Sequence, residues 1–220
     1  MTKIKNHKKI KNIVFDFGGV LLDLDYTKTH DAMSKLLGFE FIPATFTPET
    51  TKFLNEYEIG KINTETFIWN LQRLAKKEVP IGQDVIKAWN AMLLGWQPAK
   101  FDFLLSLHKK YKTYLLSNTN ELHLTWVLND LKKHHNIVDF DATFFDKTYF
   151  SHLIGMRKPD NEIFEYVTQD AGLDPAETLF IDDLEVNTLA AKVTGWKVYQ
   201  HDPKDDLIKV TSNSISQLIP

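Results

Sequence analysis

The chain of 220 residues contains no cysteine. Disulfides, thiolate nucleophiles and cysteine-ligated metals are therefore excluded. Long apolar runs are missing too, and nothing approaches the ~18 residues that a membrane-spanning helix needs. The basic run from Lys3 to Lys11 precedes an apolar stretch too short for a secretory segment, and that stretch carries Asp16. The run itself reads as a solvated N-terminal arm. Neither sign of charge is in excess: 26 Lys and Arg face 29 Asp and Glu, a net charge of -3. Nucleic acid is not expected as a partner, because phosphate backbones call for concentrated positive charge. A cytoplasmic protein with no membrane partner is the expectation.

What the chain does have is a core, since 43% of its residues are hydrophobic. That suits one globular unit, or a core domain carrying a smaller inserted one. Five short runs rich in β-branched or aromatic residues read as buried strands: Ile13–Phe15, Thr113–Leu116, Ala142–Phe145, Leu179–Ile181 and Lys197–Tyr199. Helical spacing lies between several of them. Phe101, Leu104, Leu105 and His108 share one face, as do Ile163, Phe164 and Val167, then Leu189, Val193 and Trp196. Strands alternating with helices predict an α/β fold, a Rossmann-like doubly wound parallel sheet.

The stretch from Tyr26 to Gln97 has no strand signal. Helices are predicted near Tyr26–Leu37, Thr47–Tyr57, Thr64–Lys77 and Ile81–Leu94, with Asn63 capping the third. This reads as an inserted helical bundle. The expected division is a core domain of residues 1–24 and 99–220, with the bundle at 25–98.

Four polar stations follow the predicted core strands: Asp16, Ser117-Asn118, Lys158, and Asp182-Asp183 with Asn187 behind them. Open α/β sheets bind ligands in the crevice beyond their carboxyl strand ends. Three carboxylates gathered there against one lysine repel one another, and they protonate unless a divalent cation neutralises them. Mg²⁺ fits, because it takes hard oxygen ligands and keeps room for waters and a phosphate. An ionised Asp16 is then placed to attack phosphorus.

The four motifs, in this order, resemble those of the haloacid dehalogenase (HAD) superfamily, and the inserted helices resemble its C1-type α-helical cap. Glu58-Ile59-Gly60-Lys61-Ile62 resembles a recurring turn of that cap. The resemblance implies that Asp16 is a nucleophile forming an aspartyl-phosphate, that Ser117 and Asn118 bind the phosphoryl group, and that Lys158 stabilises charge on both. It implies Mg²⁺ held by Asp16, the Gly18 carbonyl and Asp183. Asp182 stands as an outer or alternate ligand, and Asn187 as a support behind the loop. Gly18 departs from the pattern. Most of these phosphatases carry there a second aspartate that protonates the leaving alcohol, a transfer worth typically 10²–10⁴-fold. A subgroup resembling sugar-1-phosphate phosphatases lacks it.

The expected protein is thus a phosphatase of a small, sugar-phosphate-like metabolite, acting as a monomer or homodimer. A ligand-binding or regulatory protein on the same scaffold and a 2-haloacid dehalogenase are the alternatives. Asp23 and Asp25, near the missing acid, are expected in turn and helix-entry roles; His123, close behind the second motif, is expected in a capping or surface role, with a place facing the site as the alternative. His134-His135 is expected in a solvated loop. Glu58, Lys61, Trp69, Trp89 and Trp96 are the polar and aromatic residues of the cap from which substrate contacts are expected, most of the aromatics being core.

Overall fold

The computed structural model describes residues 9–76 and 78–211. The basic arm before residue 9 and Lys77, at the expected end of a helix, lie outside them. In chain order the elements are β1 (Asn12–Phe15), β2 (Leu22–Leu24), α1 (Tyr26–Leu37), α2 (Pro48–Glu58), α3 (Thr64–Leu74), α4 (Gly82–Trp89) and β3 (Leu93–Trp96). Then come α5 (Ala99–His108), β4 (Lys112–Ser117), α6 (Glu121–His135), α7 (Phe140–Phe144), β5 (Lys147–Phe150) and α8 (Ser151–Ile154). The chain closes with α9 (Asn161–Asp170), β6 (Thr178–Asp182), α10 (Glu185–Val193) and β7 (Lys197–Gln200).

Five of the strands form a parallel sheet of order β5-β4-β1-β6-β7. β1 is central, so both its faces are covered and its apolar run is continuous. Ile13, Phe15, Leu115 and Ile181 pack with Phe103, Val127 and Phe140 on one side. Val14, Leu116 and Phe180 pack with Ile163, Phe164 and Val167 on the other. Alternation along each strand therefore feeds two helical layers, the doubly wound arrangement.

The inserted helices have an apolar cluster of their own, with Met33, Phe41, Phe53, Phe67, Leu71 and Val85 at its centre. Asp25, Thr47 and Asn63 cap α1, α2 and α3, each accepting a bond from a first-turn backbone N–H. Tyr57 stacks on Phe67 with centroids 3.9 Å apart, and that contact joins α2 to α3.

The structure corrects several expectations. Ala142–Phe145 is not a strand: Phe140 and Phe144, four residues apart, bury one face of α7, and the strand is β5. A four-residue apolar run does not distinguish a short helix from a buried strand. The helix expected over Ile81–Leu94 stops at Trp89, and Leu93–Trp96 pairs antiparallel with Leu22–Leu24. A two-stranded ribbon thus closes the base of the insert. On α10 the inward positions are Asn187, Thr188 and Ala191, whereas Leu189 and Val193 face solvent. Polar residues turn inward there because the helix starts beside the crevice. On α5, Phe103 and Leu107 are buried and Leu105 is exposed. His134 and His135 end α6 and do not lie in a loop.

Candidate active site

Because the sheet is parallel, its carboxyl strand ends share one edge. Asp16 sits one residue past β1, and its N–H donates to the Ile181 carbonyl at 2.8 Å. Ser117 ends β4 on one side and Asp182 ends β6 on the other. Lys158 arrives from the loop between α8 and α9. The Asn118 side chain fastens that loop: its Nδ2 donates to the Lys158 carbonyl at 2.8 Å, and its Oδ1 accepts from the Lys158 N–H at 2.9 Å.

The Lys158 side chain is 1% exposed, and its Nζ reaches Asp16 Oδ1 at 2.6 Å and Asp182 Oδ2 at 2.7 Å. Both Asp182 oxygens are further engaged. Oδ1 accepts from the Leu184 N–H at 2.8 Å, and Asn187 Nδ2 lies 3.0 and 3.1 Å from the pair. Burial holds the Asp16 carboxyl well above the usual carboxylate range: the pull of Lys158 does not offset it, and the Asp182 charge adds to it. Burial also opposes the charge on Lys158, yet Asp16 and Asp182 prevail and hold that ammonium above its ordinary value. Asp183 is pushed up to about 6 by burial and by Asp182.

Oxygens of Asp16, Asp182 and Asp183 lie within 4.8 Å of one another. This all-oxygen set, short of positive charge, fits a hard divalent cation. Gly19 makes the crowding possible. It adopts φ +76°, and a Cβ there would come 2.5 Å from Asp183 Oδ2.

Above these groups lies a cavity of about 290 Å³. Its core wall presents Asp16, Ser117, Lys158, Asp183 and Asn187; the opposite wall, from the inserted helices and the ribbon, presents Phe41, Phe46, Leu54, Trp89, Met92 and Leu93. Tyr26, His30 and Glu58 are the ionisable exceptions on that opposite wall.

A haloacid dehalogenase-like hydrolase family model matches residues 10–195. The chain belongs to that family. It is 34% identical over 191 residues to the D-ribitol-5-phosphate phosphatase of Bacteroides thetaiotaomicron, spanning 87% of this chain and 91% of the relative. A crystal structure of a HAD family enzyme from the same organism, in complex with magnesium and inorganic phosphate, superposes with a TM-score of 0.77 at 36% identity, covering 90% of this chain and 96% of that one. A HAD-like family hydrolase from Porphyromonas gingivalis superposes with a TM-score of 0.82 at 32% identity, covering 94% and 98%.

In this HAD-like hydrolase the space beside Gly18 is filled. A Cβ on Gly18 would lie 2.5 Å from Leu24 Cδ1, so a ribbon side chain occupies the place of an acid. Asp23 is paired with Lys100 at 2.9 Å and Asp25 caps α1; neither lines the cavity. His123 does line it, the alternative to the surface or capping role expected of it. Its ring stacks on Trp89 at 5.3 Å, and its Nε2 lies 3.3 Å from the Trp89 carbonyl, which can only accept, so Nε2 carries the proton. Nδ1 faces Asn120 Nδ2 at 3.2 Å, and burial lowers the imidazole to about 4. Trp96 is buried in the core cluster, Trp69 is exposed beneath Arg73, and Lys61 is exposed.

Sequence reasoning missed Phe41, Phe46 and Leu54, whose helical or loop settings look like ordinary core. It also missed Ser151 and Arg157. The fully buried Ser151 Oγ accepts from the Thr119 N–H at 2.9 Å and stands 2.9 Å from the Thr119 carbonyl and 2.6 Å from the Glu58 carbonyl. Arg157 Nη1 donates to Asn55 Oδ1 at 2.9 Å, and its Nε lies 2.6 Å from Glu58 Oε2. No local signal announces the contacts to Glu58 and Asn55, because each joins residues about a hundred positions apart.

Proposed function

We propose that this hydrolase is a Mg²⁺-dependent phosphatase, acting on a small phosphorylated metabolite of the sugar- or polyol-phosphate kind through an aspartyl-phosphate. One observation carries the reading: Asp16, Lys158 and Asp183 line the floor of one cavity with Asp182 directly behind them, with charge that a cation and a phosphate would complete. The phosphatase activity of a relative 34% identical over most of the chain supports it, as does magnesium with phosphate in a similar fold.

In this reading Asp16 attacks phosphorus. Lys158 orients Asp16 and offsets charge on the phosphoryl oxygens, and Ser117 contributes its hydroxyl. The Asn118 amide is engaged with the Lys158 backbone, so its contribution to the phosphoryl group is its own N–H. Asp16, Asp183 and the Gly18 carbonyl would hold Mg²⁺, which supplies electrostatic stabilisation of the transferring group. Asp183 is assigned the direct contact because Asp182 already has Lys158, Asn187 and Leu184 as partners. Asn187 keeps Asp182 in place. Residues 25–98 act as a cap that encloses the substrate and excludes water, and residues 1–24 with 99–220 carry the chemistry. The unit is a monomer or homodimer without a nucleic-acid partner.

The test is a Mg²⁺-supplemented screen over sugar phosphates, polyol phosphates, nucleotides and acyl phosphates. Phosphate release from at least one sugar or polyol ester is expected, lost with EDTA. Asp16→Asn should lower kcat by about 10⁴-fold or more while the fold persists. Retained turnover in that variant overturns the mechanism.

A further inference from the structure

The reaction proposed above leaves one proton unassigned, and the present inference rests on that reading. An alkoxide expelled from phosphorus needs a proton, and it departs roughly in line with the attacking oxygen. Asp16 attacks from the strand ends, and with no acid at position 18 the facing wall of inserted helices is where another donor can stand. Gly18 has no proton to give, and Leu24 fills the space beside it.

On the opposite wall three ionisable groups line the cavity: Tyr26, His30 and Glu58. We propose that Glu58 is the catalytic acid of the first step and the base of the second. Glu58 is the last residue of α2 and is held at both ends. Its carbonyl accepts from Ser151 Oγ at 2.6 Å, and its Oε2 meets Arg157, the neighbour of Lys158 in sequence, at 2.6 Å. Among the described residues its Oε1 makes no hydrogen bond, so one oxygen is left for the substrate. The groups whose charge reaches this carboxyl are Arg157 and Lys158 from the core, and the neutral Tyr26 of α1 is near enough to feel the carboxylate. Burial outweighs both cations and raises its pKa, the direction an acid working near neutral pH requires.

The rivals fit less well. Tyr26 is half exposed, and where its hydroxyl meets the cavity its surroundings, with Asp183 and Asp16, push it above its ordinary value, which makes it a poorer proton donor. His30 makes no hydrogen bond among the described residues that would aim its ring.

The steps balance. In the first, an Asp16 oxygen bonds to phosphorus, the bond from phosphorus to the ester oxygen breaks, and the Glu58 proton passes to that oxygen to give the alcohol. In the second, Glu58 takes a proton from water as the water oxygen bonds to phosphorus. The bond to Asp16 breaks, inorganic phosphate leaves, and Glu58 is protonated again.

The experiment compares the parent enzyme with Glu58→Gln over phosphate esters of rising leaving-group pKa, from p-nitrophenyl to alkyl, with pH profiles of kcat. On alkyl esters E58Q should lose about 10²–10⁴-fold, and on p-nitrophenyl phosphate much less, because nitrophenolate leaves without a proton. With that ester the variant should also release a burst of one nitrophenolate per enzyme and carry a phosphoryl group by intact mass, since its second step lacks the base. If E58Q does not fold, Glu58→Asp keeps the charge opposite Arg157 and should give the same leaving-group pattern at smaller size. A uniform loss over all esters without a burst overturns the proposal, as does the selective pattern appearing in Tyr26→Phe or His30→Gln instead. No turnover by the parent enzyme on any ester overturns the phosphatase reading itself, a result distinct from either.

Discussion

The core wall of the cavity is a closed network, whereas the helical wall is an apolar surface with three ionisable side chains set into it. On the core side Lys158 binds two carboxylates, Asp182 has Lys158, Leu184 and Asn187 as partners, and Asn118 ties the Lys158 backbone in two directions. Removing Lys158 takes the only cation from both Asp16 and Asp182 among the described ion pairs. On the other side Phe41 packs on Phe46 at 4.7 Å and Trp89 on Phe67 at 4.9 Å, contacts that tolerate a change of shape. The contrast separates a rigid, charge-paired wall from an apolar one whose few polar groups, Glu58 among them, stand apart from one another.

The largest break is expected from Lys158→Met, which strands Asp16 and Asp182 without their cation. Metal-free stability should fall by about 3–5 kcal/mol in urea titrations, with turnover lowered by more than ~10³-fold. A smaller loss on both counts would mean that the core network is less tightly coupled than its distances imply. Asn187→Ala comes next. It releases Asp182 while leaving Asp183 in place, and should weaken Mg²⁺ binding by roughly 10–100-fold in calorimetric titration.

On the helical wall Phe46→Ala should behave differently. The ratio of kcat/KM between a bulky and a small ester should shift by about 10-fold, with Mg²⁺ affinity unchanged. Equal losses on both esters would place Phe46 in the structural support of the fold.

The smallest effect concerns pH. The folded pKa of Asp183, about 6, exceeds its ordinary 3.8, so its contribution to stability is present below pH 4 and is lost as pH rises through 6. Part of the group is open to solvent, which limits the loss to on the order of 1–2 kcal/mol. His123 works the other way. Its folded value near 4 lies below 6.5, so stability falls as pH drops from 6.5 towards 4. Only the carboxylates answer to metal. The rise in melting temperature on adding Mg²⁺ should therefore grow between pH 5 and 7.5, as differential scanning fluorimetry with and without EDTA will show.

The core wall was legible because its polar residues adjoin the β-branched runs that announce strands. Asp16 follows Ile13-Val14-Phe15, and Asp182 follows Leu179-Phe180-Ile181, so a strand prediction carries the site with it. The helical wall was not. Phe41, Phe46 and Leu54 have the same character as Phe53 and Phe67, and periodicity does not tell a cavity from a core. The same ambiguity turned Ala142–Phe145 into a strand on paper and put Leu189 and Val193 on the wrong face. The β2–β3 ribbon escaped notice because its two strands lie about 70 residues apart and one of them contains Gly95.

Ser151 holds one proton and has two carbonyls within reach of it, Glu58 of the inserted helices at 2.6 Å and Thr119 of the core at 2.9 Å. A hydroxyl is a rotor, and its donor can turn from one acceptor to the other. Were the Glu58 carbonyl to move away, the proton would have Thr119 as its acceptor and no buried donor would be orphaned. The Thr119 N–H keeps the same oxygen as its acceptor in either position. The donor side of this contact is therefore spared the penalty that usually attends a broken internal hydrogen bond. A single rotatable bond thus joins the insert to the core at a point where either carbonyl can take the proton and the Thr119 N–H keeps its acceptor.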